Sequence, residues 1–398
     1  MQTTNNQFQH QIEVWLEHIR VLSVEIGPRG STTDGERKGS EYCRQTLERI
    51  GLSPQVEPFK SARSIFQPHL FASIAMLAAF AIYPLFGRAS AAFAALLAAI
   101  TLASDLLELS FRDNLIRRLV SKGSSQNIVA IFPPASEPHH DLILMGHVDS
   151  QRTPIIFKSK AWLATYQNFT TVAFVGFAVQ VLLYILGAIT QWSWIWPLSA
   201  ISALCAILLA AMCLQADSTP FTRGANDNAT AAGLVLTLAE QIKKEPLEHT
   251  RIWLVCTGCE ETQHYGAIDF FRRHKTELQH PKALVFEMLG CGGPAWLTSE
   301  GIIIRFHADQ GLVRLAEQIS TDHPELDGYP TQITGGNTEM ADALRLGIPA
   351  ITITGMTPDG NAPYWHQVGD TYDKIDPEVL ARAFAFTSAF IGALDERG

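Results

Sequence analysis

Leu142-Ile143-Leu144-Met145-Gly146-His147-Val148-Asp149 is the stretch on which the fold turns. Four aliphatic residues in a row read as a strand covered on both faces, the kind found in parallel sheets flanked by helices. The run ends by presenting an imidazole and a carboxylate two positions apart, on the same side of an extended chain. Similar short apolar runs recur at residues 127–132, 252–255, 283–286 and 348–353. Amphipathic segments lie between them at 229–243, 266–274, 311–319 and 339–346, and Asp376-Pro377 opens a closing helix that runs to Leu394. The expected fold class is α/β, three α/β/α layers around a mixed, mostly parallel sheet.

Charge is distributed unevenly around this pattern. Only 17% of the 398 residues are charged, and the formal net charge is -9; typical soluble domains hold roughly 25% charged residues. Residues 64–104 carry one charge, Arg88, and residues 161–216 carry none. The first stretch splits at Gly87-Arg88 into 70–86 and 89–104; the second splits around Trp192, Trp194 and Trp196 into 170–189 and 198–214. Each piece approaches the roughly 17 to 25 apolar residues that cross hydrocarbon, with 89–104 the short one. The reading is two inserted transmembrane hairpins of four helices, 64–104 and 161–216, interrupting a polar domain made of 1–63, 105–160 and 217–398. The tryptophans sit at a hairpin tip, where an interfacial belt would place them.

Two hairpins return the chain to the side it left, so the three polar segments share one compartment. Arg63, Arg112, Arg117, Arg118, Lys122, Arg152, Lys158 and Lys160 flank the hairpins on that side, against Arg88 alone on the other. The positive-inside rule then expects an integral protein of an inner or plasma membrane with the polar domain in the cytoplasm. The polar stretch 1–11 gives no expectation of a signal segment. An acidic chain with no basic block argues against nucleic acid as a partner. Six cysteines, two of them within apolar runs, suit a reducing compartment rather than a disulfide scaffold.

Several strand ends deliver metal-ligand residue types. Besides His147 and Asp149 there are Asp227 within Gly224-Ala225-Asn226-Asp227-Asn228-Ala229, the pair Glu260-Glu261 after 252–255, Glu287 after 283–286, and His366 after Tyr364-Trp365. Histidine and carboxylates gathered at the carboxyl ends of neighbouring strands are where ligands bind in an open α/β sheet. Nitrogen and oxygen donors without thiolate suit Zn²⁺, and also Mn²⁺ or Co²⁺.

In this order the motifs resemble the co-catalytic di-zinc aminopeptidase family, whose relatives include glutamate carboxypeptidases, glutaminyl cyclases and the non-enzymatic transferrin receptor. The matching residues are His147-x-Asp149, Gly224 to Ala229, Glu260-Glu261, Glu287-Met288-Leu289-Gly290, and His366 followed by Asp370 to Asp376. The resemblance covers nearly all of the polar domain. It implies a zinc-exopeptidase-like fold and two Zn²⁺ ions bridged by Asp227. His147 and Glu287 would complete one site, Glu261 and His366 the other; Glu260 would be the general base and Asp149 would orient His147. The implied activity is hydrolysis of peptide bonds from one end, as an aminopeptidase, on peptide or N-terminal substrates. A carboxypeptidase or N-acyl amino acid amidase would use the same centre, and a non-catalytic receptor or scaffold would be expected to have lost ligands that are all kept here.

The chain departs from the family at Glu287, which is longer by a methylene than the frequent Asp, and at Cys259, where Gly or Glu is common. Cys256 and Cys259 read as packing residues. Gly335-Gly336-Asn337-Thr338-Glu339 resembles the substrate-side loop with its acidic residue shifted, and Tyr364 or Trp365 could flank the site. The second hairpin falls between Asp149 and Asp227. Two readings follow: it favours hydrophobic or membrane-associated substrates, or the hairpins only anchor or oligomerise.

Overall fold

Every residue from His140 to His147 is buried, and this strand occupies the middle of a nine-stranded sheet. The computed structural model describes residues 8–397; the chain ends at 1–7 and 398, which the sequence assigns to the polar domain, lie outside the described residues. The strands are β1 (Gln55–Ala62), β2 (Lys122–Phe132), β3 (His140–His147), β4 (Thr250–Thr257), β5 (Lys282–Glu287), β6 (Ala295–Glu300), β7 (Phe306–His307), β8 (Tyr329–Gln332) and β9 (Ala350–Thr354). Their order is β1-β2-β4-β3-β5-β9-β6-β7, with β8 paired to β6. The four central strands β4-β3-β5-β9 are parallel, and β2, β6 and β7 join antiparallel. The fold is therefore mixed α/β, parallel where the apolar runs are continuous.

Register explains why both faces are covered. Ile143 pairs with Trp253, whose indole meets Phe270 of the helix Tyr265–His274 at 6.0 Å. Gly146 faces the opposite way, and a Cβ there would lie 2.8 Å from that of Ala231 in the helix Thr230–Lys244. Glycine lets that helix lie close against the end of β3. Helices Gln9–Arg20, Asp34–Ile50 and Pro377–Glu396 complete the layer around Thr230–Lys244. The helix Asp34–Ile50 is absent from the sequence reading, although Thr33 and Glu36 carry the spacing of a capping box and the Thr33 hydroxyl does accept from the Glu36 amide.

The chain divides into two compact units: one of the described residues up to Ser61, with Gly123–Gln151 and Phe221 onward, and one of Ala62–Lys122 and Arg152–Pro220. Segments 105–122 and 152–160, expected with the polar domain, cluster instead with the apolar helices. Polar groups at the helix ends account for this: Glu108 takes hydrogen bonds from Asn114 (2.5 Å) and Arg117 (3.0 Å), and Asp217 from Ser64 (2.5 Å).

The second unit consists of two helical hairpins, Phe66–Ile82 with Arg88–Leu109 and Lys160–Thr190 with Ile195–Asp217. Among the described residues four helices are long and apolar enough to cross a membrane by length and composition: the last three of these and Pro377–Glu396. That fourth helix packs into the core of the first unit. The expected short piece 89–104 belongs to a helix of 22 residues, and Phe66–Ile82, with 17, is the short one. Within the bundle Ala94, Ala98, Ala173, Gln180, Tyr184 and Ser202 are buried, whereas Phe93, Leu96, Val172, Leu182, Ile201 and Leu204 face outward. Gln180 donates to Tyr184 (3.1 Å), whose hydroxyl meets that of Ser199 (3.1 Å). Large apolar side chains thus cover the outer surface as well as filling the interior, unlike a water-soluble bundle.

Candidate active site

The parallel strands end together. β3 closes on His147, opposite Thr257 at the end of β4, and β5 closes on Glu287. The turn after β4 carries Glu260 and Glu261, and the segment before the helix Thr230–Lys244 carries Asp227. His366 arrives from a loop after β9 in a left-handed conformation (φ 52). All six side chains meet, and all but Glu260 are buried.

Asp227 is the centre of the arrangement. Its Oδ1 lies 3.5 Å from His147 Nε2 and its Oδ2 lies 3.3 Å from His366 Nε2. Glu287 Oε1 is 3.6 Å from His147 Nε2, and Glu261 Oε2 is 3.1 Å from His366 Nε2. Two donor sets share Asp227, His147–Asp227–Glu287 and Asp227–Glu261–His366, and a third is His147–Glu260–Glu261, each with donor atoms within 4.8 Å of one another. Glu260 Oε2 lies 3.7 Å from His147 Nε2.

Neighbouring groups hold each donor. Asn228 donates to Glu287 Oε2 (3.1 Å), Gln151 to Glu261 Oε2 (3.0 Å), and Asp370 accepts the amides of Asn226 (2.6 Å) and Asp227 (3.1 Å). His147 Nδ1 faces the main-chain carbonyl of Asp149 at 3.1 Å, nearer than the Asp149 carboxylate at 3.5 Å. A carbonyl only accepts, so this contact places a proton on Nδ1 and turns Nε2 toward the site. The Asp149 carboxylate, beside the His147 ring, also takes the amides of Glu260 (3.1 Å) and Glu261 (3.2 Å) and the hydroxyl of Ser31 (2.6 Å). Glu36 Oε1 accepts the preceding amide, that of Cys259 (2.8 Å), and its thiol (3.2 Å). Two carboxylates therefore clamp three successive N–H groups through the Glu260-Glu261 turn. Cys256 and Cys259 are buried free thiols, and the Cys259 sulfur is engaged by Glu36 rather than by a metal set.

Electrostatics mark the cluster as incomplete without cations. Burial pushes Glu261 and Glu287 up to about 8, with the charge of Asp227 adding to it. Burial alone would lower His366, but Glu261 and Asp227 outweigh it and raise it to about 10. Four carboxylates crowd two imidazoles, and Glu261 Oε1 is buried with no hydrogen-bond partner. An acceptor-rich, thiolate-free set with an orphaned oxygen fits divalent zinc.

Residues 215–391 match peptidase family M28. The likeness read from the motifs, to zinc aminopeptidases and glutaminyl cyclases, is borne out by structures of both kinds. A zinc aminopeptidase from Bacillus subtilis superposes with TM-score 0.58 at 14% identity, covering 96% of this chain and 95% of that one. A leucine aminopeptidase precursor from Bacteroides thetaiotaomicron does so with TM-score 0.56 at 13% identity, covering 96% of each. A glutaminyl cyclase from Tannerella forsythia gives TM-score 0.56 at 16% identity, covering 96% and 98%. At these identities the likeness is one of fold. No curated protein sequence matches the chain.

Four further residues belong to the surroundings of the site: Arg29, His264 and Asp342, which lie outside the motifs, and Glu339, which closes the motif Gly335 to Glu339. Arg29, wholly buried, donates to the carbonyls of Leu22, Gly27, Val148, Arg223 and Gly224 at 2.7 to 2.9 Å, tying the His147 and Asp227 segments together. Glu339 is 1% exposed, and burial pushes it up to about 8 against the pull of the Thr257 hydroxyl. His264 and Asp342 adjoin Glu260: His264 Nε2 is 3.1 Å from Glu260 Oε1 and its Nδ1 is 2.6 Å from Asp342 Oδ2.

Proposed function

We propose that this chain is a membrane-integrated di-zinc exopeptidase, an aminopeptidase, with Glu260 as general base. The observation that carries the reading is Asp227, which turns one oxygen to each histidine and so belongs to two donor sets at once. His147 and Glu287 would hold one ion, His366 and Glu261 the other. When bound, such a pair supplies Lewis acidity toward the scissile carbonyl and lowers the pKa of a water. Glu260 lies at the edge of both sets with part of its side chain open to solvent. In this reading its carboxylate takes a proton from the attacking water and returns it to the leaving amine.

The membrane part of the proposal rests on the apolar outer face of the helical bundle and on its tip, where Trp192 and Trp194 stack at 5.6 Å and remain exposed. The short helix Phe66–Ile82 would cross with local thinning. The substrates proposed are peptides with a free N terminus. Hydrophobic or membrane-associated peptides are favoured because the second hairpin enters the chain directly after Gln151, whose amide holds Glu261. The lipid bilayer is the proposed second partner, with the catalytic unit on the cytoplasmic side.

The test is the full chain in detergent and in liposomes, assayed for metal content and for the products released from a peptide library. Two zinc ions per chain, loss of single N-terminal residues, and a Glu260→Gln variant that keeps the metals but loses activity are the expected results. Release from the C terminus, cleavage of N-acyl amino acids alone, or wild-type turnover by Glu260→Gln would overturn the assignment.

A further inference from the structure

We propose that His264 and Asp342 form a positioning couple for Glu260, fixing which of its two oxygens is free for proton transfer. The inference rests on the reading of Glu260 as the base and concerns two residues that bind neither ion in that reading.

The geometry begins in the backbone. After Glu260 the chain folds back on itself, with the amides of Gln263 (2.9 Å) and His264 (2.8 Å) both donating to the Glu260 carbonyl. His264 closes this turn at φ 55, a left-handed conformation that histidine adopts more readily than most residues with a side chain. A link from the turn to a second element has to come from its side chain.

The ring supplies one. Its two nitrogens face carboxylate oxygens on opposite sides, Asp342 Oδ2 at 2.6 Å and Glu260 Oε1 at 3.1 Å. An ionised carboxylate accepts and does not donate, so between two charged neighbours the ring bonds both only by giving a proton to each. Asp342 is anchored in turn: its amide donates to the Glu339 carbonyl (3.1 Å), and its Oδ1 lies 3.3 Å from Arg345 Nη1. The result is an alternating chain, Arg345, Asp342, His264, Glu260, in which His264 and Asp342 are 2% and 4% exposed.

Glu260 is then held at three points. Its amide is bound by Asp149, its carbonyl by the turn, and its Oε1 by His264. Only Oε2 remains on the side of His147 and the donor sets. A carboxylate free to rotate would present either oxygen, or neither, to a reacting water. Anchored at Oε1, it presents one oxygen in one orientation before substrate arrives, which is preorganisation of the base rather than a gain in substrate binding. His264 reaches no reacting atom, so its effect falls on kcat and leaves KM nearly unchanged.

The experiment compares wild type with His264→Leu, His264→Gln, Asp342→Asn and Glu260→Gln in the full chain, using leucyl and alanyl p-nitroanilides as probes, with metal content and Tm measured for each. His264→Leu is expected to lower kcat about 10- to 100-fold, with KM within about threefold and both metals retained. His264→Gln, whose amide nitrogen can still donate to Glu260, should recover at least about fivefold of that loss, and Asp342→Asn should fall between. A His264→Leu kcat within twofold of wild type, or a loss that Gln does not rescue and that tracks Tm or metal content, overturns the couple. Independently of turnover, the ¹⁵N resonance of His264 Nε2, identified by its absence in His264→Leu, should move in Glu260→Gln; an unmoved resonance overturns the contact. If Glu260→Gln is inactive while His264→Leu is fully active, only the couple falls. If Glu260→Gln hydrolyses at the wild-type rate, the function itself has been misread.

Discussion

Replacing Asp149 by Asn changes one atom in a site with no room for rearrangement. The side chain is wholly buried, and its carboxylate accepts three donors, the amides of Glu260 and Glu261 and the Ser31 hydroxyl. Asparagine keeps one acceptor oxygen. Placed at Oδ2, that oxygen retains Glu261 and Ser31 but sets an NH₂ about where Oδ1 was, 3.1 Å from the Glu260 amide. The least loss is one hydrogen bond to a charged acceptor, about 1.5–3 kcal/mol, together with a buried N–H left facing another donor. The volume is unchanged, so no cavity contributes. The Glu260 backbone can relieve the opposition only by moving, which shifts the base. If about 2–3 kcal/mol appears in the barrier, kcat/KM falls about 30- to 150-fold. Ser31→Ala removes the hydroxyl but leaves both amide bonds, and should stay within about threefold of wild type. Steady-state kinetics with metal analysis and thermal melts on both variants is the assay. Asp149→Asn within twofold of wild type with metals and Tm intact, or Ser31→Ala equalling it, would refute the amide clamp.

Arg29→Met should destabilise the catalytic unit by more than about 4 kcal/mol, since five carbonyls, four of them buried, lose a cationic donor at once; a shift in urea midpoint worth under about 1 kcal/mol would contradict this. His18 should make the fold acid-sensitive. Burial, and then Arg49, hold its ring down to about 4 from the ordinary 6.5. It is neutral in both folded and unfolded chains at pH 7, but below 6.5 only the unfolded chain gains the proton, so stability drops by up to about 3 kcal/mol near pH 4. A His18→Gln variant should flatten that limb in denaturation curves taken across the range. Leu182→Asp puts a charge on the outward face of the helix Lys160–Thr190 and should cost about 2.5–3.5 kcal/mol of insertion, read as loss of protein from the membrane fraction. An unaffected distribution would speak for a water-facing bundle.

What could be read from residues alone was whatever depends on local periodicity and on chemistry at the end of a run. The continuous apolar stretches at 142–145, 252–255 and 283–286 became β3, β4 and β5 because a strand covered on both faces has no alternation to hide. His147, Asp227, Glu260, Glu261 and Glu287 were visible for a related reason: each sits just past such a run or beside a helix start, where side chains of a parallel sheet converge; His366, in a loop well beyond β9, was visible only through the order of the motifs. The uncharged stretches likewise declared two apolar hairpins, since charge is what the interior of a bilayer excludes. The helix limits were not legible, because Asp105 and Glu108 continue one apolar helix by bonding to His69 and Arg117 rather than ending it.

Tertiary structure alone decided which groups touch. Arg29 is an ordinary cation in the sequence and a buried hub in the fold, because its five acceptors come from three separate segments. Asp149 follows His147 by two positions, yet its carboxylate serves the Glu260 and Glu261 amides more than 100 residues on. His264 and Asp342 meet only because the turn after β4 and the helix before β9 pack together, two elements whose separation along the chain carries no information about the distance between them. Hydrophobic periodicity is a property of neighbours in sequence, so the chain declares its strands and apolar helices in advance. A hydrogen bond depends on angstrom distances between side chains brought from afar, and those exist only once the layers have closed.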